Sequence, residues 1–391
     1  MIILFHGTGD DDSKADNWMR WVADIMRPET PVLTVNGVDS KLGGAKDAGF
    51  MSRFRSGTPP LSAGHQNHMA AVEAFFESME DHRKKGTGGF GAARANPAPT
   101  ATARTDLRGL TAALAACGTK DFTSVIPAGQ EKRVALETIK KMRGEDYMAA
   151  IGIKPRMTYA AACALAYYRA GGSQPIRIIG HSRGGSTAIG THNVLTYYGV
   201  PCDHTLSLDP CHGMNAEILH LWLSHHEKEY YTKIFGGTVT NIAATKGVGA
   251  DWAGRNYLGS ESKRSFALDG TRRPDITLGE GCLSSATVYN VDKRLKDVKH
   301  GHMGKFTHKT TLIGSGPGQL ASLDALATEI RSFISRCKGM PGVEVLSAFF
   351  AHSSFVTEAA DAADKRFIQQ HVLATLSATR TDAVLNATPR R

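Results

Sequence analysis

The chain has 391 residues, 41% hydrophobic and 21% charged, a composition that excludes a disordered chain and predicts a sizeable buried core. That length holds one large α/β domain with insertions or two domains, because a single core stops growing at roughly 250 to 300 residues. The formal net charge of +9 favours an anionic partner such as a membrane surface, but no repeat of aromatic and basic residues marks a nucleic-acid module.

In chain order, Met1 to Phe5 is an apolar, partly β-branched run that predicts a first buried strand. It is too short for a signal-peptide core or a membrane span. The expectation is a soluble chain, cytoplasmic when made, with any export by a route that needs no cleaved signal. His6-Gly7-Thr8-Gly9 follows at once, then Asp10, Asp11 and Asp12. A second strand is predicted at Val32 to Val35. Residues 41 to 155 are too long for one crossover helix and read as an insertion, with helices at His65 to Met79 and Gln130 to Met142 and a loop rich in Gly, Ala, Pro and Thr at Gly86 to Ala103.

Beyond the insertion, strands are predicted at Pro175 to Ile179, Thr205 to Leu208, Thr238 to Ala243 and Ala286 to Val291, with helices at Met157 to Ala170 and Ser186 to Tyr198. Strands alternating with helices predict a doubly wound, mostly parallel sheet. The division expected is a main domain over 1–340, interrupted by the insertion, and a helical C-terminal extension over 341–391.

Gly180-His181-Ser182-Arg183-Gly184 lies between a predicted strand and a predicted helix. This is the context of a Gly-x-Ser-x-Gly elbow, in which a sharp turn presents a serine hydroxyl at a helix N-terminus. A serine hydroxyl is a poor nucleophile at neutral pH, so a histidine must take its proton and a carboxylate must orient that histidine. Asp209, at the end of the next strand and followed by Pro210, is the candidate acid, with Asp251 as the alternative. His302, flanked by Gly301 and Met303-Gly304, is the candidate base, with His300 as the alternative. Acyl transfer also needs donors for an oxyanion, assigned to the amides of Gly7 or Thr8 and of Arg183.

No cofactor is expected. Asp10 to Asp12 offer the one place for a calcium ion, but their spacing matches no calcium motif. His225-His226-Glu227 lacks the spacing of a zinc peptidase, and Gly314 to Gly318 lacks the Lys and Ser or Thr of a phosphate loop. The six cysteines include no Cys-x-x-Cys pair and read as ordinary thiols.

Three segments, Phe5-His6-Gly7-Thr8-Gly9-Asp10, Asn36-Gly37-Val38-Asp39 and Gly180-His181-Ser182-Arg183-Gly184-Gly185, carry a family likeness. The chain resembles the serine lipases and esterases of the α/β-hydrolase superfamily. More narrowly it resembles the lipase and phospholipase effectors that bacteria deliver through type VI secretion, over residues 1 to about 305. Leu208-Asp209-Pro210 is similar to the segment that holds the triad acid in pancreatic-type lipases. The resemblance implies hydrolysis of a carboxylic ester, foremost a lipid or phospholipid at a membrane surface, and a secretion-system or immunity protein as partner. Many of those effectors have Phe before the serine and Ala after the second glycine, where this chain has His181 and Gly185. Two rival readings are a soluble carboxylesterase, thioesterase or peptidase with the same triad, and a non-catalytic binding protein on the same scaffold.

Overall fold

The structure is a computed structural model that describes residues 1–12, 17–37, 63–85, 126–141, 153–172, 174–198, 200, 202–210, 239–246, 293–299, 323–352 and 362–377. Its elements run β1 (Ile2–Phe5), α1 (Trp18–Met26), β2 (Val32–Val35), α2 (Ala63–Lys85), α3 (Glu131–Lys141), α4 (Ile153–Arg169), β3 (Ile176–His181), α5 (Arg183–Tyr197), β4 (Cys202–Leu208), β5 (Val239–Lys246), β6 (Lys293–Lys299), α6 (Leu323–Arg336), α7 (Gly342–His352) and α8 (Ala362–Leu376). Among the described residues the strands form one six-stranded sheet in the order β2-β1-β3-β4-β5-β6. Every neighbouring pair is parallel.

A parallel strand covered on both faces needs apolar side chains in both directions, and β1 has them at every position. Its side chains alternate between two cores. Ile3 and Phe5 point into a core with α2, α3, α4 and α5, whereas Ile2 and Leu4 point into one with α1, α6, α7 and α8. In the first core α4 is buried on nearly all sides, so its Ala160 to Ala164 stretch has no polar face to give to water. Arg169 at its end bonds Glu131 of α3 at 2.6 Å and the Ile126 carbonyl at 3.0 Å, tying the two helices together. Arg156 at its start donates to the carbonyls of Asn36 at 2.5 Å and Gly37 at 2.9 Å, just past β2.

The second core draws on residues far apart in sequence. Trp21 meets Phe349 edge-on with ring centres 4.8 Å apart, and Phe333 meets the same ring at 5.7 Å. Leu346, Phe349, Phe367 and Val372 are buried beside Ile2 and Leu4, so the helices after residue 340 complete the second face of the sheet. Arg177 of β3 fixes α8 by donating to the Leu376 carbonyl at 2.9 Å and pairing with Asp203 of β4 at 3.1 Å.

Ala286 to Val291 lies outside the described residues, and β6 is the charged stretch Lys293–Lys299. A search for apolar runs finds central strands. It passes over β6, which ends the strand order and has the lysine-rich composition that keeps sheet edges from pairing with other chains. The loop at Gly86 to Ala103 also lies outside the described residues. No helix among those described is long and apolar enough to cross a membrane.

Candidate active site

From β1 the chain moves outward to β2, and from β3 it moves the other way to β4, so the winding reverses between β1 and β3. Loops at the C-terminal ends of strands diverge at such a switch point and leave a crevice above the sheet. The register shows what lines it. Phe5 pairs with Gly180, and Gly180 with Ser207. Two residues further along each strand come Gly7, Ser182 and Asp209, side by side at one rim.

Ser182 is the turn between β3 and α5 and has φ of 56°. A non-glycine residue seldom adopts this left-handed conformation, which costs of order 1–3 kcal/mol and persists only where the surroundings over-determine it. Close packing supplies that constraint. A Cβ on Gly180 would lie 2.2 Å from the Gly184 carbonyl oxygen, and one on Gly184 would lie 2.4 Å from that of Phe5. Both neighbours are backbone and cannot swing away. The Ser182 N–H continues the ladder by donating to the Leu208 carbonyl at 2.9 Å. The next amide, that of Arg183, opens α5, and a helix does not use its first N–H groups in its own ladder.

The β1 loop comes against this turn. A Cβ on Gly7 would lie 3.3 Å from that of Ser182 and 2.7 Å from His181 Nδ1, so a larger residue here would crowd the elbow. The loop closes through the Asp10 N–H on the Gly7 carbonyl at 3.0 Å and the Gly37 N–H on the Asp10 carbonyl at 2.9 Å. His6 is buried, with Nε2 2.8 Å from Asp12 Oδ1 and Nδ1 2.7 Å from Asn17 Nδ2. Asp12 also accepts from the Thr34 hydroxyl of β2. Burial works against the charge on Asp12, but the hydrogen bonds from His6 and Thr34 favour it, and the carboxyl is held below its usual value. That carboxylate is therefore committed to the loop. No group of three His, Cys, Asp or Glu side chains among the described residues is arranged to hold a metal ion.

Asp209 is fully buried and also left-handed, with φ of 46°. Its N–H donates to the Ile242 carbonyl of β5 at 2.6 Å. Ser182 and Asp209 are the two non-glycine residues with positive φ among those described, and they end adjacent strands. Of the other predicted site residues, Gly7, Thr8 and Arg183 lie at the same rim. His302, His300 and Asp251 lie outside the described residues, as do His225 to Glu227 and Gly314 to Gly318. Burial pushes the Cys163 thiol well above its usual range, which makes it inert as a nucleophile at neutral pH.

Asn17 is the residue that motif reading passes over. It caps α1 by accepting from the Met19 N–H at 3.0 Å while its amide holds His6. The signal was present as an Asn directly before the amphipathic run from Trp18.

No family model matches the chain, and no curated protein matches it. Among solved structures it is similar to the crystal structure of an uncharacterized protein from Pseudomonas aeruginosa, at 10% identity and a TM-score of 0.30. The match covers 98% of this chain and 52% of that one, so the chain spans about half the length of that protein.

Proposed function

We propose that the protein is a serine hydrolase of the α/β-hydrolase kind that cleaves a carboxylic ester, with a lipid or phospholipid as its substrate class. The observation that carries this reading is the left-handed Ser182 at the β3–α5 turn, with Gly7 on one side and Asp209 on the other. A plain connection between strand and helix has no need to hold a serine in a strained conformation at a switch point.

In the reaction, Ser182 Oγ attacks the ester carbonyl carbon while His302 takes its proton. The carbonyl oxygen becomes an oxyanion held by the amides of Arg183 and of Gly7 or Thr8. Collapse breaks the ester C–O bond and the departing alcohol takes the proton from His302, leaving an acyl-enzyme. Water then attacks it, His302 takes the water's proton and returns it to Ser182, and the carboxylic acid leaves. Asp209 stays ionised and orients the imidazole. The reaction needs no cofactor.

His302 is favoured over His300 because Gly301, directly before it, lets the loop approach closely. Asp209 is favoured over Asp251 because it stands beside Ser182 in the register. The same reading gives the segment 41–155 the part of a wall or cover for an acyl chain, and the net charge of +9 draws the enzyme to anionic headgroups. A secretion-system or immunity protein partner belongs to the same reading.

The test is turnover of p-nitrophenyl esters and of phospholipid vesicles, with labelling by a fluorophosphonate. Ser182→Ala and His302→Ala should each lose at least about 10³-fold in kcat, and His300→Ala should stay near wild type. Turnover of aggregated over monomeric substrate marks a lipase, and the reverse preference marks a soluble esterase. Equal turnover and labelling by wild type and Ser182→Ala would end the proposal.

A further inference from the structure

His6, buried in the loop beside the turn, invites a role as the base, but its surroundings assign it another. Asn17 Oδ1 is spent on the Met19 N–H, which fixes the orientation of the amide and makes Nδ2 the donor to His6 Nδ1. The His6 proton therefore sits on Nε2, where it is donated to Asp12. With both ring nitrogens engaged and the ring 1% exposed, His6 has no atom left to accept a proton from Ser182.

We propose that His6 is a positioning residue, and that Asn17, Asp12 and Thr34 form with it a clamp that sets the Gly7–Thr8 amides at the height of the oxyanion; this rests on the hydrolase reading above. The ring is anchored directly at two places, the N-cap of α1 and Asp12 of the β1 loop, and Asp12 is held in turn by the Thr34 hydroxyl of β2. The His6 backbone is anchored too, by its N–H on the Val35 carbonyl at 2.9 Å. Its carbonyl closes on the elbow, since a Cβ on Gly184 would lie 2.5 Å from it. The clamp thus fixes the residue before Gly7 in both side chain and main chain. Oxyanion donors act because they are aimed before the charge develops, so a loosened loop loses transition-state binding while substrate still binds.

The discriminating variant is Asn17→Ser. Serine is as good an N-cap as asparagine, so α1 keeps its start while the donor to His6 Nδ1 is removed. Asp12→Ala removes the other side of the clamp, and Asp12→Asn keeps an acceptor for the Nε2 proton. On a p-nitrophenyl ester, Asn17→Ser and Asp12→Ala should each lower kcat and the rate of fluorophosphonate labelling together by about tenfold, with KM within about twofold. Asp12→Asn should recover most of the loss, and the thermal midpoint of Asn17→Ser should match wild type. Wild-type kcat and labelling in Asn17→Ser would overturn the clamp while leaving the hydrolase reading intact. A wild type with no Ser182-dependent turnover or labelling would overturn the reading and the clamp together. Should Asp12→Ala fail to fold, Asn17→Ser decides alone.

Discussion

The turn at Ser182 and the loop at His6 end neighbouring strands and face each other, yet they are held in place by opposite means. The turn is fixed largely by volume: its backbone is strained, and its glycines meet backbone where a methyl would clash. The loop is fixed by polar contacts, through an imidazole between an amide and a carboxylate. Steric fixing leaves no slack, which suits the proposed nucleophile. Polar fixing can be weakened in steps, which makes its contribution measurable.

The largest effect follows from pushing on the rigid half. In Gly184→Ala the new methyl would meet the Phe5 and His6 carbonyl oxygens at 2.4 and 2.5 Å, and both belong to strand-end backbone. Relief requires α5 to move off β1, at a cost of about 3 kcal/mol or more. Urea unfolding should show that loss in the midpoint, against a total stability that for most domains is only about 5–15 kcal/mol. A Gly184→Ala protein as stable as wild type would mean that the turn has slack after all.

A smaller effect sharpens the same point from the other side. If the turn holds Ser182 against its own preference, glycine there relieves the strain and alanine does not. Ser182→Gly should be more stable than Ser182→Ala by about 1 kcal/mol in urea unfolding, with both inactive. Equal stabilities would mean that the left-handed serine is not strained.

This division explains what was legible beforehand. Close approach shows in the one-dimensional text as glycine, so the elbow, the Gly7 loop and the positions of the central strands along the chain could be read from Gly180, Gly184, Gly7 and the apolar runs. Asp209 could be placed because Pro210 ends its strand, but its left-handed backbone leaves no trace in residue type. The polar half was hidden. Asp12 reads as one of three solvated or metal-binding acids until the fold brings His6 and Thr34 to it, and Asn17 reads as a cap until its second bond is seen. β6 gave no signal because its charged stretch, Lys293–Lys299, contains no apolar run.

The least effect concerns pH and separates the two halves by titration. Asp12 is lowered in the folded chain from an ordinary 3.8. A carboxyl lowered on folding adds stability that is fully present above its unfolded value near 4 and is lost as pH falls through its folded value. A third of the side chain is exposed, at 34%, and water screens the contribution, so it should amount to less than about 1 kcal/mol. The comparison is between wild type and Asp12→Asn, which keeps a hydrogen-bond acceptor and cannot titrate. Between pH 4 and pH 2 wild type should lose more stability than the variant, and above pH 5 the gap between them should be constant. Parallel loss in both proteins across the acid range would show that Asp12 is charged to the same degree folded and unfolded, and that hydrogen bonding without charge is enough to hold the loop.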